Sequence, residues 1–168
     1  NTLGAGLNYN HTFGSVHDLA VRLFYNHSSE TVPGDNPDYK YQGLAMRAQY
    51  GFNKRYYAEV TASYQGSSNY RSGKRTGFFP AVGLAWVASD EKWLQSAEAI
   101  DFLKFRVSYG VNGNDQTGGR RFPYRQEFTS SGGYAFGNPN GSTDGSQEGV
   151  LANPDETWEK SYKFNVGF

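Results

Sequence analysis

The stretch DFLKFRVSYGVNG, residues 101–113, alternates in character almost without a break. Leu103, Phe105, Val107, Tyr109 and Val111 share one side of an extended chain, while Lys104, Arg106, Ser108, Gly110 and Asn112 share the other. Successive side chains of a strand point to opposite faces, so the pattern predicts a strand with one apolar and one wet side. TLGAGLNYN, DLAVRLFYN, GLAMRAQYGF, RYYAEVTASYQ, FPAVGLAWVA and TWEKSYKFNVGF alternate in the same way. The expected fold is all-β, with about seven antiparallel strands. One short helix is expected in SDEKWLQSAEAI, where Ser89 suits the cap and Asp90 and Glu91 the first turn. What remains is whether the apolar side faces a protein core or lipid.

The connections alternate in size. Those after the first, third and fifth stretches are short: HTFGSVH, NKR and the helical segment. Those after the second, fourth and sixth are long, the last running from Asn112 to Glu156. Up-and-down strands with short turns at one end and long loops at the other are the habit of outer-membrane barrels. Aromatics on the apolar side sort the same way. Tyr9, Tyr50, Tyr56 and Trp86 lie toward the short turns, and Tyr25, Tyr64, Tyr109 and Trp158 toward the long loops. From Tyr56 to Tyr64 a strand rises roughly 26 Å, or about 20 Å along a membrane normal after tilting, near the height of an apolar band between aromatic girdles. The wet side carries Arg22, Arg47, Glu59, Lys104, Arg106, Glu159 and Lys163 at mid-strand positions. These suit a hydrated lumen or bulk water. The apolar side is thin and Ala-rich, and Ile occurs once in the chain. That favours an up-and-down transmembrane barrel segment over a soluble sandwich. A low mean hydropathy does not oppose a barrel, because only alternate residues need be apolar and long loops are polar.

The remaining chemistry is sparse. A formal net charge of +0 gives no electrostatic case for a nucleic-acid partner, and the absence of cysteine excludes disulfides and thiolate metal sites. His11, His17 and His27 lack ligand spacing, so no metal or other cofactor is expected. The Asn/Asp/Gly-rich stretches NGNDQTGG and NPNGSTDGSQEG do not match an EF-hand and read as polar loops. The sequons at Asn10, Asn26 and Asn140 have meaning only in a eukaryotic secretory protein. Glu59 and Glu159 sit on separate strands with nothing to bring them together, and Ser63 and Ser108 lack a histidine partner, so catalysis is not expected. The chain opens on Asn1 and reads as a mature product or an internal piece. The alternatives are a soluble secreted carbohydrate-binding β-sandwich and, more weakly, an enzyme on a β scaffold.

Several motifs occur in a telling order. They are Gly66-Ser67-Ser68, Phe79-Pro80, Trp86, the run Leu103, Lys104, Arg106, Ser108, Tyr109, Gly110, Gly113 and Asn114, and Thr157-Trp158-Glu159-Lys160. This series resembles the barrel of SusC/RagA-type, TonB-linked outer-membrane transporters of Bacteroidetes over nearly the whole chain. Gln65 departs from it, standing where an acidic residue is expected. The resemblance implies residues 1–168 as part of a roughly 22-stranded, plugged barrel without its plug or TonB box. It implies multi-pass location in the bacterial outer membrane, in contact with its lipid. It also implies a SusD-like surface lipoprotein and TonB as partners, and a glycan or peptide as cargo. The loop 112–156 would then be extracellular, with Tyr124, Phe128, Tyr134 and Phe136 as candidates for touching lid or cargo.

Overall fold

The computed structural model describes residues 1–31, 38–94, 100–116, 120–135 and 142–168. Nine strands are present among them: β1 (Thr2–Phe13), β2 (His17–Glu30), β3 (Tyr39–Phe52), β4 (Tyr56–Ser67), β5 (Thr76–Val87), β6 (Lys104–Asn114), β7 (Phe128–Ala135), β8 (Ser142–Glu148) and β9 (Glu159–Gly167). Seven form one sheet in the order β1-β2-β3-β4-β5-β6-β9, antiparallel at every step. The seven alternating stretches correspond to these seven strands. β7 and β8 pair only with each other, as a hairpin inside the long 112–156 connection.

The short turns have a local cause. Gly14 and Ser15 (φ 55° and 57°) and Asn53 and Lys54 (φ 51° and 55°) occupy paired left-handed positions. Val16 N–H donates to the Phe13 carbonyl at 3.2 Å, and Arg55 N–H to the Phe52 carbonyl at 3.0 Å. Two consecutive left-handed residues make the type I′ turn, whose twist matches that of the flanking strands. The third connection at this end departs from expectation. Its helical structure among the described residues is limited to a 3-10 turn, Ala88–Asp90, followed by a turn closed by Leu94 N–H on the Glu91 carbonyl at 2.9 Å, and residues 95–99 lie outside the described residues. Ser89 does not cap a helix; its hydroxyl is buried without a hydrogen-bond partner among the described residues.

Register turns alternation into two continuous faces. Tyr9, Val21, Ala48, Val60, Val82, Tyr109 and Phe164 form one rung across all seven strands. The next rung, on the opposite face, runs Asn8, Arg22, Arg47, Thr61, Ala81, Gly110 and Lys163. No layer of the described chain covers the apolar face. Val60 is 49% exposed, Leu84 55% and Phe164 67%. A soluble sandwich would bury such residues under a second sheet.

The buried apolar cluster lies elsewhere. Tyr70, Phe79 and Trp158 pack together at the long-connection end, with Tyr41 and Val111 against them. Phe79 pairs with Ser63 and Tyr41 with Ser67, positions on the charged face. The β5–β6 ladder stops at Ala81–Gly110, immediately after Pro80, which has no N–H to donate. Beyond that break the Phe79 ring occupies space that a side chain at Gly113 or Gly77 would need; a Cβ there would lie 2.0 or 2.4 Å from its Cζ. Trp158 closes the cluster. Its ring centroid lies 5.2 Å from that of Phe79 and 5.7 Å from that of Tyr70, and its indole N–H donates to the Arg75 carbonyl at 3.1 Å. Removing a buried Trp leaves a cavity and typically costs about 3–5 kcal/mol. Trp158→Ala in the full-length protein should therefore lower unfolding stability by roughly that amount in a denaturant titration, whereas Trp93→Ala, at an exposed ring, should leave it within about 0.5 kcal/mol.

Candidate functional site

The charged face is built by strand parity. All seven charged candidates (Arg22, Arg47, Glu59, Lys104, Arg106, Glu159 and Lys163) fall on it in the register. On β1–β4 the groups answer one another. Arg22 Nε donates to Asn8 Oδ1, and Arg47 and the Gln49 amide both donate to Glu59 Oε2, each at 2.7 Å. Arg22 and Arg47 stand directly opposite on neighbouring strands, so Glu59 offsets a like-charge contact. Glu59 and Glu159 are not brought together: β5 and β6 lie between β4 and β9 in the sheet, and Glu159 accepts instead from Asn114 Nδ2 at 3.1 Å. An open basin of about 900 Å³ lies along this face, lined among others by Gln49, Tyr57, Glu59, Gly83, Lys104, Arg106, Ser108 and Asn165. Among the described residues no group of carboxylates and histidines is arranged to hold a metal.

Of the interface aromatics, Tyr9, Tyr25, Tyr50, Tyr56, Tyr64 and Tyr109 stand exposed on the apolar face, and Trp86 is half-buried there. Tyr25, Leu44, Tyr64 and Phe78 make a rung toward the long connections, and Phe52, Tyr56, Trp86 and Phe105 one toward the short turns. Tyr9 and Tyr109 share a rung, yet barrel strands tilt by roughly 35–45°, so a shared rung is not a shared depth. Trp158 corrects the expectation. It is only 4% exposed, because it precedes β9 and turns into the Phe79–Tyr70 cluster rather than following the strand's alternation.

The long-connection end holds a polar collar that the alternation does not reveal. The buried Asn69 side chain donates to the Asp115 carbonyl at 2.7 Å and accepts from Phe122 N–H at 2.6 Å. Tyr39 hydroxyl donates to the Asp115 carboxylate, and Ser68 Oγ accepts from Lys40 N–H at 2.8 Å. Arg121 pairs with Glu30 at 3.0 Å and lies over the Tyr39 ring. The collar thus ties three connections to one another. Phe122 is held at φ 52°, an uncommon conformation for a bulky residue, by burial and by the Asn69 acceptor. Of the loop candidates, Tyr124 packs edge-on to Phe122, and Phe128 opens β7 at 65% exposure. Tyr134 pairs with Thr143 in the hairpin backbone, and Phe136 lies outside the described residues.

At the opposite end Glu91 gathers three partners. It accepts from the Tyr56 hydroxyl, from Trp86 Nε1 at 3.3 Å and from Arg55 at 3.5 Å. The Tyr56 hydrogen bond, then that of Trp86, and the Arg55 charge hold its carboxyl below the ordinary value near 4.5.

These features define a class: a segment of an antiparallel transmembrane β-barrel with one apolar and one charged face. No protein-family model matches the chain. It is 30% identical over 124 residues to the TonB-dependent receptor SusC of Bacteroides thetaiotaomicron, covering 72% of this chain and 12% of that protein. It is 28% identical over 150 residues to TonB-dependent receptor P39 of Formosa agariphila, covering 88% of this chain and 14% of that protein. In shape it matches the RagAB peptide transporter with a TM-score of 0.79 at 20% identity, over 98% of this chain and 21% of that one. The match to the open-open state of the RagAB peptide importer has a TM-score of 0.76. The chain is a stretch of barrel from the SusC/RagA family of TonB-dependent receptors, and it spans only about an eighth to a seventh of the curated relatives just named.

The Glu91 cluster carries a pH dependence of definite sign. A carboxyl whose folded value is depressed adds stability above its unfolded value and loses it as pH falls through the folded value. The melting-temperature advantage of the wild-type full-length protein over Glu91→Gln should therefore be present at neutral pH and shrink as pH falls below the ordinary carboxyl value near 4.5. An advantage that stays constant over that range would contradict the assignment.

Proposed function

We propose that the full-length protein is a TonB-dependent importer in the bacterial outer membrane, and that residues 1–168 form part of its wall and outer loops. The observation that carries this reading is the seven-stranded sheet whose apolar face has no described residue over it and whose other face is charged. Lipid supplies the missing cover for such a sheet, and a closed barrel removes its two bare edges. Relatives called TonB-dependent receptors and a peptide importer of the same shape support the transport class.

The proposed mechanism has no bond-making step. Cargo, a glycan or a peptide, binds beneath a SusD-like lipoprotein at the outer surface, and TonB acts through parts outside this chain. Cargo then passes along the charged face. The 112–156 connection is extracellular in this reading. Its β7–β8 hairpin and collar give Tyr124 and Phe128 a fixed base from which to meet lid or cargo. The soluble sandwich needs a second sheet over Leu23, Met46 and Val107, and the described residues place none there.

An arginine on the lipid face of a barrel near the bilayer midplane costs about 2–4 kcal/mol. Val60→Arg in the full-length protein, folded into vesicles, should lose that much in denaturant unfolding. The neighbouring Thr61→Arg, on the charged face, should lose under about 1 kcal/mol. Equal losses would overturn the proposed orientation.

A further inference from the structure

The charged face is electrostatically lopsided. On β1–β4 each cation or anion meets a partner: Arg22 with Asn8, Arg47 and Gln49 with Glu59, and Thr12 with Asp18 at 2.7 Å. On β6 and β9 the same face carries Lys104, Arg106 and Lys163. Among the described residues none of these three has a carboxylate within ion-pair distance. Lys104 lies 5.4 Å from the centroid of the Tyr57 ring, which orients the ammonium without neutralising it. Arg106 fills the space beside Gly167, where a Cβ would come within 2.7 Å of its Nε. The glycine lets the guanidinium lie along the wall.

Lys104 and Arg106 are successive same-face residues of one strand, roughly 7 Å apart at the backbone. Both line the open basin, whose floor between them and β4 is Gly83 and Ala85, with Ser108 next along β6. Small residues there leave room for a group to approach the cations, and Ser108 and Asn165 add neutral hydrogen-bond donors at the same wall. The acidic groups facing this region, Asp18 and Glu59, are engaged by their own partners.

We propose that Lys104 and Arg106 form an oxyanion site, taking a carboxylate or sulfate group that enters the basin from elsewhere. Arg donates in a planar fork and Lys as a point charge, a combination suited to bridging one such group. Two sources share this chemistry: an acidic side chain from another part of the same full-length protein, and a free anionic ligand. The proposal rests on the barrel reading, which gives the charged face an enclosed interior.

The test uses the full-length protein in detergent, with the Lys104→Gln/Arg106→Gln double variant and the charge-preserving Lys104→Arg/Arg106→Lys variant. Melting is followed in sodium sulfate and in sodium chloride at equal ionic strength. With a free anion, sulfate raises the wild-type midpoint by about 2–4 °C more than that of the glutamine variant. With an internal carboxylate, the glutamine variant melts lower in chloride and sulfate adds nothing specific. In both cases the charge-preserving variant follows the wild type. A glutamine variant with the wild-type midpoint and the wild-type sulfate response overturns the site. Heat-modifiable migration on gels reports the barrel separately, so its failure would sink the barrel reading while the melts still decide the anion site.

Discussion

A sheet can hide an apolar face in only a few ways: under helices, under a second sheet, or in a solvent that is itself apolar. In this chain the apolar face runs unbroken through seven strands, and the described residues place neither a helix nor a second sheet over it. The register makes the consequence strict. Because the side-chain period is two, every residue of the rung through Val60 points one way and every residue of the rung through Arg47 points the other. Shifting any strand by one residue would put Arg22 or Lys163 into lipid and Val21 or Phe164 against water. In the proposed barrel the fold therefore depends on burying the first set in hydrocarbon while hydrating the second.

The rest of the architecture is what such a wall needs at its two rims. At the short-turn rim, two type I′ turns reverse the chain with no surplus length, and Glu91 ties Tyr56, Trp86 and Arg55 together beneath them. At the long-connection rim, Asn69, Asp115 and Tyr39 link the connections, and the Phe79–Tyr70–Trp158 cluster fills the gap where β5 and β6 part after Pro80. The buried apolar residues of this chain thus stabilise a rim rather than a central core. That suits a wall whose main apolar burial is against lipid.

Much of this was legible in the sequence. Alternation located the seven sheet strands and assigned the charged residues to one face, because the strands carry apolar residues on one side and polar ones on the other. It failed where that condition failed. SSGGYA and STDGSQE carry no apolar period, so the β7–β8 hairpin gave no signal despite its backbone pairing. Phe79 sits on the charged face because a local cluster, not lipid, accepts it, and Trp158 was misplaced because it lies one residue before its strand begins. Asn69 and Asp115 read as ordinary loop polars, since their partners are far off in sequence. The helix expected over residues 89–100 rested on capping chemistry, yet its described start is a 3-10 turn.

The central claim is that hydrocarbon covers the side of the sheet bearing Leu23, Met46 and Val107. The chain has no cysteine, so single cysteines can be placed at will, provided those elsewhere in the full-length protein are first removed. Nitroxide labels at these three positions and at Gln49 and Ser108, in the full-length protein in bilayers, report access to dissolved oxygen and to a polar nickel chelate. The account predicts that labels at the first three meet oxygen far more readily than the chelate, and that labels at Gln49 and Ser108 do not share this preference. Labels at Leu23, Met46 and Val107 shielded from both reagents would show protein over that face and contradict it.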